Sequence, residues 1–148
     1  MKPDKFNVRV YGIWLKDHHV LLVKENVNGL EFTKFPGGGL EFGEGLMDAL
    51  IREVDEELGM EATITEHFYT TDFFQQSAFY KNEQLISVYY LIDIPLASTE
   101  TFPLQRNLPE SHSIYFYLKK LDDLHEDDVT FPIDKLMIRK LKSRMEGH

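Results

Sequence analysis

The segment GGLEFGEGLMDALIREVDEELGM, residues 38–60, governs the reading of the whole chain. Leu46, Leu50, Val54 and Leu58 recur at every fourth position with Ala49 beside them. That spacing predicts a helix over residues 44–58 that buries one stripe against a sheet. Gly59 supplies the left-handed position that commonly ends such a helix. At about 100° per residue, Glu56 falls about 60° to one side of Glu53 and Glu57 about 40° to the other, so the three carboxylates share one face beside the apolar stripe.

Local electrostatics opposes that placement. Acids at four-residue spacing repel one another, and the C-terminal half of a helix favours cations. A bound divalent cation reverses the sign, because hard ions such as Mg²⁺ take oxygen ligands. An acidic face on an arbitrary helix is most often merely solvated. Residues 36–44 shift the balance: Gly37, Gly38, Gly39 and Gly43 cost backbone entropy unless their conformations are used. Such a loop lets backbone approach a ligand and can bring Glu41 and Glu44 toward the helix carboxylates. It lacks the Gly-Lys-Ser/Thr ending of a phosphate-cradling loop.

Outward from this segment the chain reads as strands. Apolar or β-branched runs at 8–15 and 20–23 flank a turn that holds His18 and His19, and a third short strand spans 30–35 before Pro36 stops it. Strands are also expected at 60–69, 85–94 and 113–118. Residues 70–84 read as an extended hairpin end or substrate-facing loop, and 94–110, with three prolines, as loop. Thr130 is the expected cap of a last helix whose face carries Ile133, Leu136, Met137, Lys140 and Leu141, with Pro132 in its first turn.

The chain has 148 residues and no cysteine, with 43% hydrophobic and 28% charged residues, which fits one domain over 1–148 with its own core. Thiol catalysis, disulfides and thiolate metal sites are excluded. Lys plus Arg number 16 against 25 for Asp plus Glu, a formal charge of -9, so nucleic acid and anionic membrane are poor partners. A phosphorylated small molecule bridged by divalent cations fits better. No window of about 18 apolar residues occurs and Met1–Lys5 leads into a strand without a signal-peptide core, so the expected location is cytoplasmic. His18 and His19 are adjacent, His67, His112 and His125 are isolated and His148 is terminal, a poor set for zinc.

Gly38, Glu44, Arg52, Glu53, Val54, Glu56, Glu57, Gly59 and Met60 stand without a gap in the box of the Nudix hydrolase family. The chain therefore resembles this family of MutT-like nucleoside diphosphate-X pyrophosphohydrolases. The likeness implies an α/β fold, a Nudix-like α/β/α sandwich with a mixed β-sheet. It implies divalent-metal-dependent hydrolysis of the pyrophosphate linkage in a nucleoside diphosphate joined to another group, by water attack on phosphorus. By matching position, Glu53, Glu56, Glu57 and the Gly38 carbonyl hold Mg²⁺ or Mn²⁺, and Arg52 orients the carboxylates with Glu44 as its loop partner. Glu53 and Glu110, the latter before the late strand, are the two candidates for general base.

Arg9 on the first strand is placed to face phosphate in some relatives, with an outward direction equally open. Phe35, Phe73, Phe74 and Tyr80 could stack on a base. The family markers suggestive of ADP-ribose or dinucleoside polyphosphate enzymes are absent after the box, so the substrate is left among nucleoside triphosphates, nucleotide sugars and ADP-ribose-type molecules. The alternative is a catalytically inactive nucleotide-binding or regulatory domain of the same fold. RNA 5′-end hydrolysis fits the acidic chain less well. The family often forms dimers, so a homodimer is compatible with the likeness, although no pattern here specifies an interface.

Overall fold

The computed structural model describes residues 2–146. Along the chain run strands β1 (Lys5–Lys16), β2 (His19–Val27), β3 (Leu30–Lys34) and β4 (Gly37–Gly39), then helix α1 (Leu46–Leu58). Strands β5 (Thr63–Thr70), β6 (Glu83–Asp93), β7 (Leu104–Leu108) and β8 (His112–Lys120) follow, and helix α2 (Pro132–Glu146) is last. Contacts divide these into two units, one holding the chain up to Trp14 together with Pro36–Leu96, the other holding Leu15–Phe35 together with the chain from Ala97 onward.

The first unit is built on a mixed sheet. β1 pairs in parallel with β6 from Lys5↔Glu83 to Trp14↔Ile92, β5 lies antiparallel on β6, and β4 lies antiparallel on β1. A parallel pair requires a long crossover connection, and α1 forms inside it. Val10, Ile13 and Trp14 of β1 are buried, as are Val88, Tyr89 and Ile92 of β6, which is the apolar content that inner strands require. The helix buries Ala49, Leu50, Val54 and Leu58, the stripe expected from the four-residue spacing. Its start falls slightly later than expected: Gly45 is extended and caps the helix, which leaves Glu44 in the loop. Gly59 closes the helix at φ 70° with its N–H donated to the Asp55 carbonyl at 2.7 Å, a conformation costly for any residue with a Cβ.

The second unit is an antiparallel sheet in the order β3-β2-β8-β7. The last two residues of β1 lead into it through a tight turn at Asp17 and His18, both with positive φ. Val20, Leu21, Leu22 and Val23 are all buried, and with Phe116, Ile114, Met137, Ile138 and Leu141 they form this unit's core.

Four expectations give way to the structure. The glycines at 37–39, read as part of a loop, form strand β4 opposite Arg9–Tyr11 of β1. The span 94–110 contains β7, because Pro103 and Pro109 stand just outside its two ends, where they cost no ladder hydrogen bond. Thr130 does not cap α2; its hydroxyl accepts the Thr33 N–H at 2.8 Å. The buried face of α2 runs through Ile133, Asp134, Met137, Ile138 and Leu141, while Lys140 is exposed. His148 lies outside the described residues.

Candidate active site on the acidic helix

The geometry of the first unit centres on Arg52. Its guanidinium donates to both oxygens of Glu44, Nε to Oε2 at 3.0 Å and Nη2 to Oε1 at 2.7 Å, a bidentate pairing of matched planar groups. Nη2 also donates to the Gly39 carbonyl at 3.1 Å, and Nη1 reaches Glu53 and Glu56, each at 3.2 Å. Glu41 stands 3.6 Å from Nε, and its backbone N–H donates to Glu44 at 2.9 Å. One arginine thus ties the glycine strand, the loop and the helix together. The Arg52 hydrogen bonds, assisted by the Glu41 N–H, hold the Glu44 carboxyl below its ordinary range. Glu44 in turn pushes the guanidinium further above its own.

The approach between β4 and α1 depends on the absence of a side chain at Gly38. A Cβ there would stand 2.5 and 2.7 Å from the two carboxylate oxygens of Glu53, closer than real contacts allow. Backbone and carboxylate therefore share a space that any Cβ would contest, so glycine alone leaves the Glu53 carboxylate where it stands. Glu53 is largely covered, at 18% side-chain exposure, whereas Glu56 is open at 57%. Glu57 is half-buried on the same helix.

Hard carboxylate oxygens beside a glycine backbone that no Cβ shields are the donor chemistry that suits Mg²⁺ or Mn²⁺. Among the described residues, however, no group of three or more His, Cys, Asp or Glu side chains is gathered as if around one ion. Arg52 itself engages Glu53 and Glu56. A cation would compete with the guanidinium for those two acids. The exchange is unequal, because an exposed pair such as Arg52–Glu56 is worth only about 0–1 kcal/mol, while the two-pronged bond to Glu44 can stay.

Arg9 faces the same glycine strand. It is paired with Gly39, a Cβ on which would stand 3.3 Å from Arg9 Nη1, and its Nε donates to the Tyr11 hydroxyl at 3.1 Å. Tyr11 stacks on Tyr89 with ring centroids 5.1 Å apart. Tyr11 did not stand out in the sequence; the signal was its two-residue spacing from Arg9, which puts both on one face of β1.

Other expected residues lie elsewhere. Phe35 has 0% exposure and is core of the second unit, so it has no ring face for a base. Phe73, Phe74 and Tyr80 are exposed at 50%, 60% and 61% on the loop after β5. Glu110 is in the second unit, exposed on the β7–β8 turn with φ 63°.

Among solved structures, the ORF135 protein of E. coli is similar at 20% identity and a TM-score of 0.67, over 95% of this chain and 91% of that one. A MutT protein from Methanosarcina mazei is similar at 17% identity and a TM-score of 0.71, over 95% and 96%. A NUDIX hydrolase from Nitrosomonas europaea matches at 19% identity and 0.66, over 94% and 90%. At these identities the likeness establishes the fold, a mixed α/β arrangement consistent with the α/β/α sandwich class. No curated protein matches the chain. The model of the NUDIX domain matches residues 5–140, a span that includes the glycine strand, the Arg52 hub and the acidic helix, and the chain accordingly belongs to the NUDIX family.

Proposed function

We propose that the chain is a pyrophosphohydrolase acting on a nucleoside diphosphate joined to a further group. One observation carries this reading: Gly38 and Glu53 meet so closely that any Cβ at 38 would displace the Glu53 carboxylate, which is expected of a backbone that serves a ligand-binding carboxylate. Glu53, Glu56, Glu57 and the Gly38 carbonyl are the residues that would hold Mg²⁺ or Mn²⁺. When bound, such an ion lowers the pKa of water and neutralises charge on phosphate oxygens.

The remaining chemistry belongs to the chain. Arg52 keeps Glu44 and the Gly39 carbonyl in its grip, which fixes the loop against the helix while Glu53 and Glu56 turn to the ligand. Arg9, held by Tyr11 beside Gly39, supplies positive charge to a phosphate of the substrate. Water oxygen bonds to phosphorus, the bridging P–O bond breaks, and the leaving phosphate departs with the former bridge oxygen. Glu53, the covered carboxylate beside Gly38, accepts the proton of that water. Glu110 is the other candidate for this role, and an unchanged pH–rate profile in Glu110→Gln would remove it. The substrate is a small molecule from the nucleoside triphosphate, nucleotide sugar or ADP-ribose type, met in the cytoplasm by the chain acting as one domain. No helix among the described residues is long and apolar enough to cross a membrane.

A second reading, a nucleotide-binding domain without turnover, is favoured by the pairing of Glu53 and Glu56 with Arg52. Turnover of a nucleotide panel with Mg²⁺ and with Mn²⁺ separates the two. Release of nucleoside monophosphate that falls about 10²-fold or more in Glu57→Gln, at unchanged melting temperature, supports hydrolysis. Tight binding without product in the unaltered chain refutes it.

A further inference from the structure

The sheet of the second unit carries different residues on its two faces. Ile114 and Phe116 of β8 are buried on one, while Tyr115 and Tyr117 alternate onto the other. Cross-strand pairing sets Lys24 of β2 opposite Tyr115. The two tyrosine rings stack with centroids 5.8 Å apart and 28° between their planes. Beside them, Phe102 and Pro103 supply an apolar wall and His19 a further ring nitrogen, and these side chains line a cavity of about 590 Å³. That volume lies within the range of small-molecule sites, about 300–1,000 Å³.

The lining has two features that a solvated sheet face does not need. It presents aromatic rings where polar residues are usual, with Tyr115 itself 38% exposed. It also carries Lys24 and His19 and no carboxylate, in a chain with 25 acidic residues against 16 Lys and Arg. The His19 Nδ1–H donates to the Asp17 carbonyl at 2.7 Å, which sets the tautomer.

We propose that this cavity binds a flat aromatic ring that carries an anionic group, of the size of a nucleoside monophosphate. The ring stacks on the Tyr115–Tyr117 platform, and the anion meets Lys24, which stands opposite Tyr115. Stacking on aromatic side chains suits any base, because every base has a π-face. All of these residues belong to the second unit and none to the acidic helix, so the site does not depend on the proposed hydrolysis.

The test is a titration of the full chain with AMP, adenosine and ribose 5-phosphate, followed by backbone amide NMR with a chelator present so that no divalent metal contributes. AMP should shift Lys24, Tyr115 and Tyr117 saturably, and each half-molecule should bind about tenfold more weakly or worse. Tyr115→Ala and Lys24→Glu should each weaken AMP about tenfold, with unchanged amide shifts at buried Ile114 and Phe116 reporting an intact fold. Shifts confined to residues 37–58, adenosine binding as well as AMP, or variants that bind like the unaltered chain would each overturn the proposal.

Discussion

Gly38→Ala probes the contact on which the functional reading stands. The added methyl would lie 2.5 and 2.7 Å from the Glu53 oxygens, where an ordinary van der Waals contact begins at 3.4 Å. Glu53 Cδ lies nearer still, at 2.4 Å, so the carboxylate must retreat by about 0.7 to 1.0 Å. The obstacle is the far end of a flexible side chain, and φ at Gly38 is not in the left-handed region, so the backbone accepts alanine. Lost unfolded-state entropy offsets part of any strain, by about 0.4–1 kcal/mol, and the melting temperature should stay within about 3 °C. Function should respond quite differently, because a displacement of about 1 Å at a reacting group can cost 10²-fold. The assay is kcat with Mg²⁺ on the best substrate of the panel, beside thermal unfolding. A variant that folds normally and turns over within about twofold of the unaltered chain would show that Glu53 need not sit where Gly38 lets it, and the site assignment would fail.

Glu44 should titrate below the ordinary glutamate value of 4.5, because the Arg52 hydrogen bonds and the Glu41 N–H favour its charged form. The sign follows from linkage: with the folded pKa depressed, the stabilisation is full above the unfolded pKa and is lost as pH falls through the folded one. Carboxyl-carbon NMR of the Glu44 side chain should show this, with Arg52→Met returning the midpoint upward; a midpoint at or above 4.5 in the unaltered chain would contradict it. In the second unit, burial raises the Glu25 pKa, but Lys34 and His112 outweigh it and hold the carboxylate charged. Lys34 Nζ lies 3.3 Å from Glu25 with both side chains nearly covered, so Glu25→Gln should cost about 3 kcal/mol in urea unfolding, and a loss below about 1 kcal/mol would refute the buried pairing.

What the sequence discloses is what has a local period. Leu46, Leu50, Val54 and Leu58 announce α1 and its buried side because a helix returns to the same face every four residues. β4 has no such signature: three glycines carry no pattern, and their strand conformation comes from pairing with Arg9–Tyr11, nearly thirty positions earlier in the chain. β7 hides for a related reason, since Gln105, Arg106 and Asn107 are poor strand formers that β8 alone holds in place. The acids of the site were readable, and so was the pairing of Arg52 with Glu44. That Arg52 also takes Glu53, Glu56 and the Gly39 carbonyl was not, because it requires the loop to fold back on the helix. Phe35 shows the opposite failure: an aromatic residue beside a glycine run looks available for stacking, and only tertiary packing decides that it is core.

The most direct measurement of the central idea is a titration with Mn²⁺, read by calorimetry and by the NMR signals of the Arg52 side chain, in the presence of a non-hydrolysable nucleoside diphosphate. Binding should be saturable, weakened at least about tenfold in Glu57→Gln, and accompanied by a change at Arg52 Nη1 as Glu53 and Glu56 leave it for the ion. Absence of binding at saturating Mn²⁺, or binding that leaves Arg52 and the Glu57→Gln variant indifferent, would contradict it.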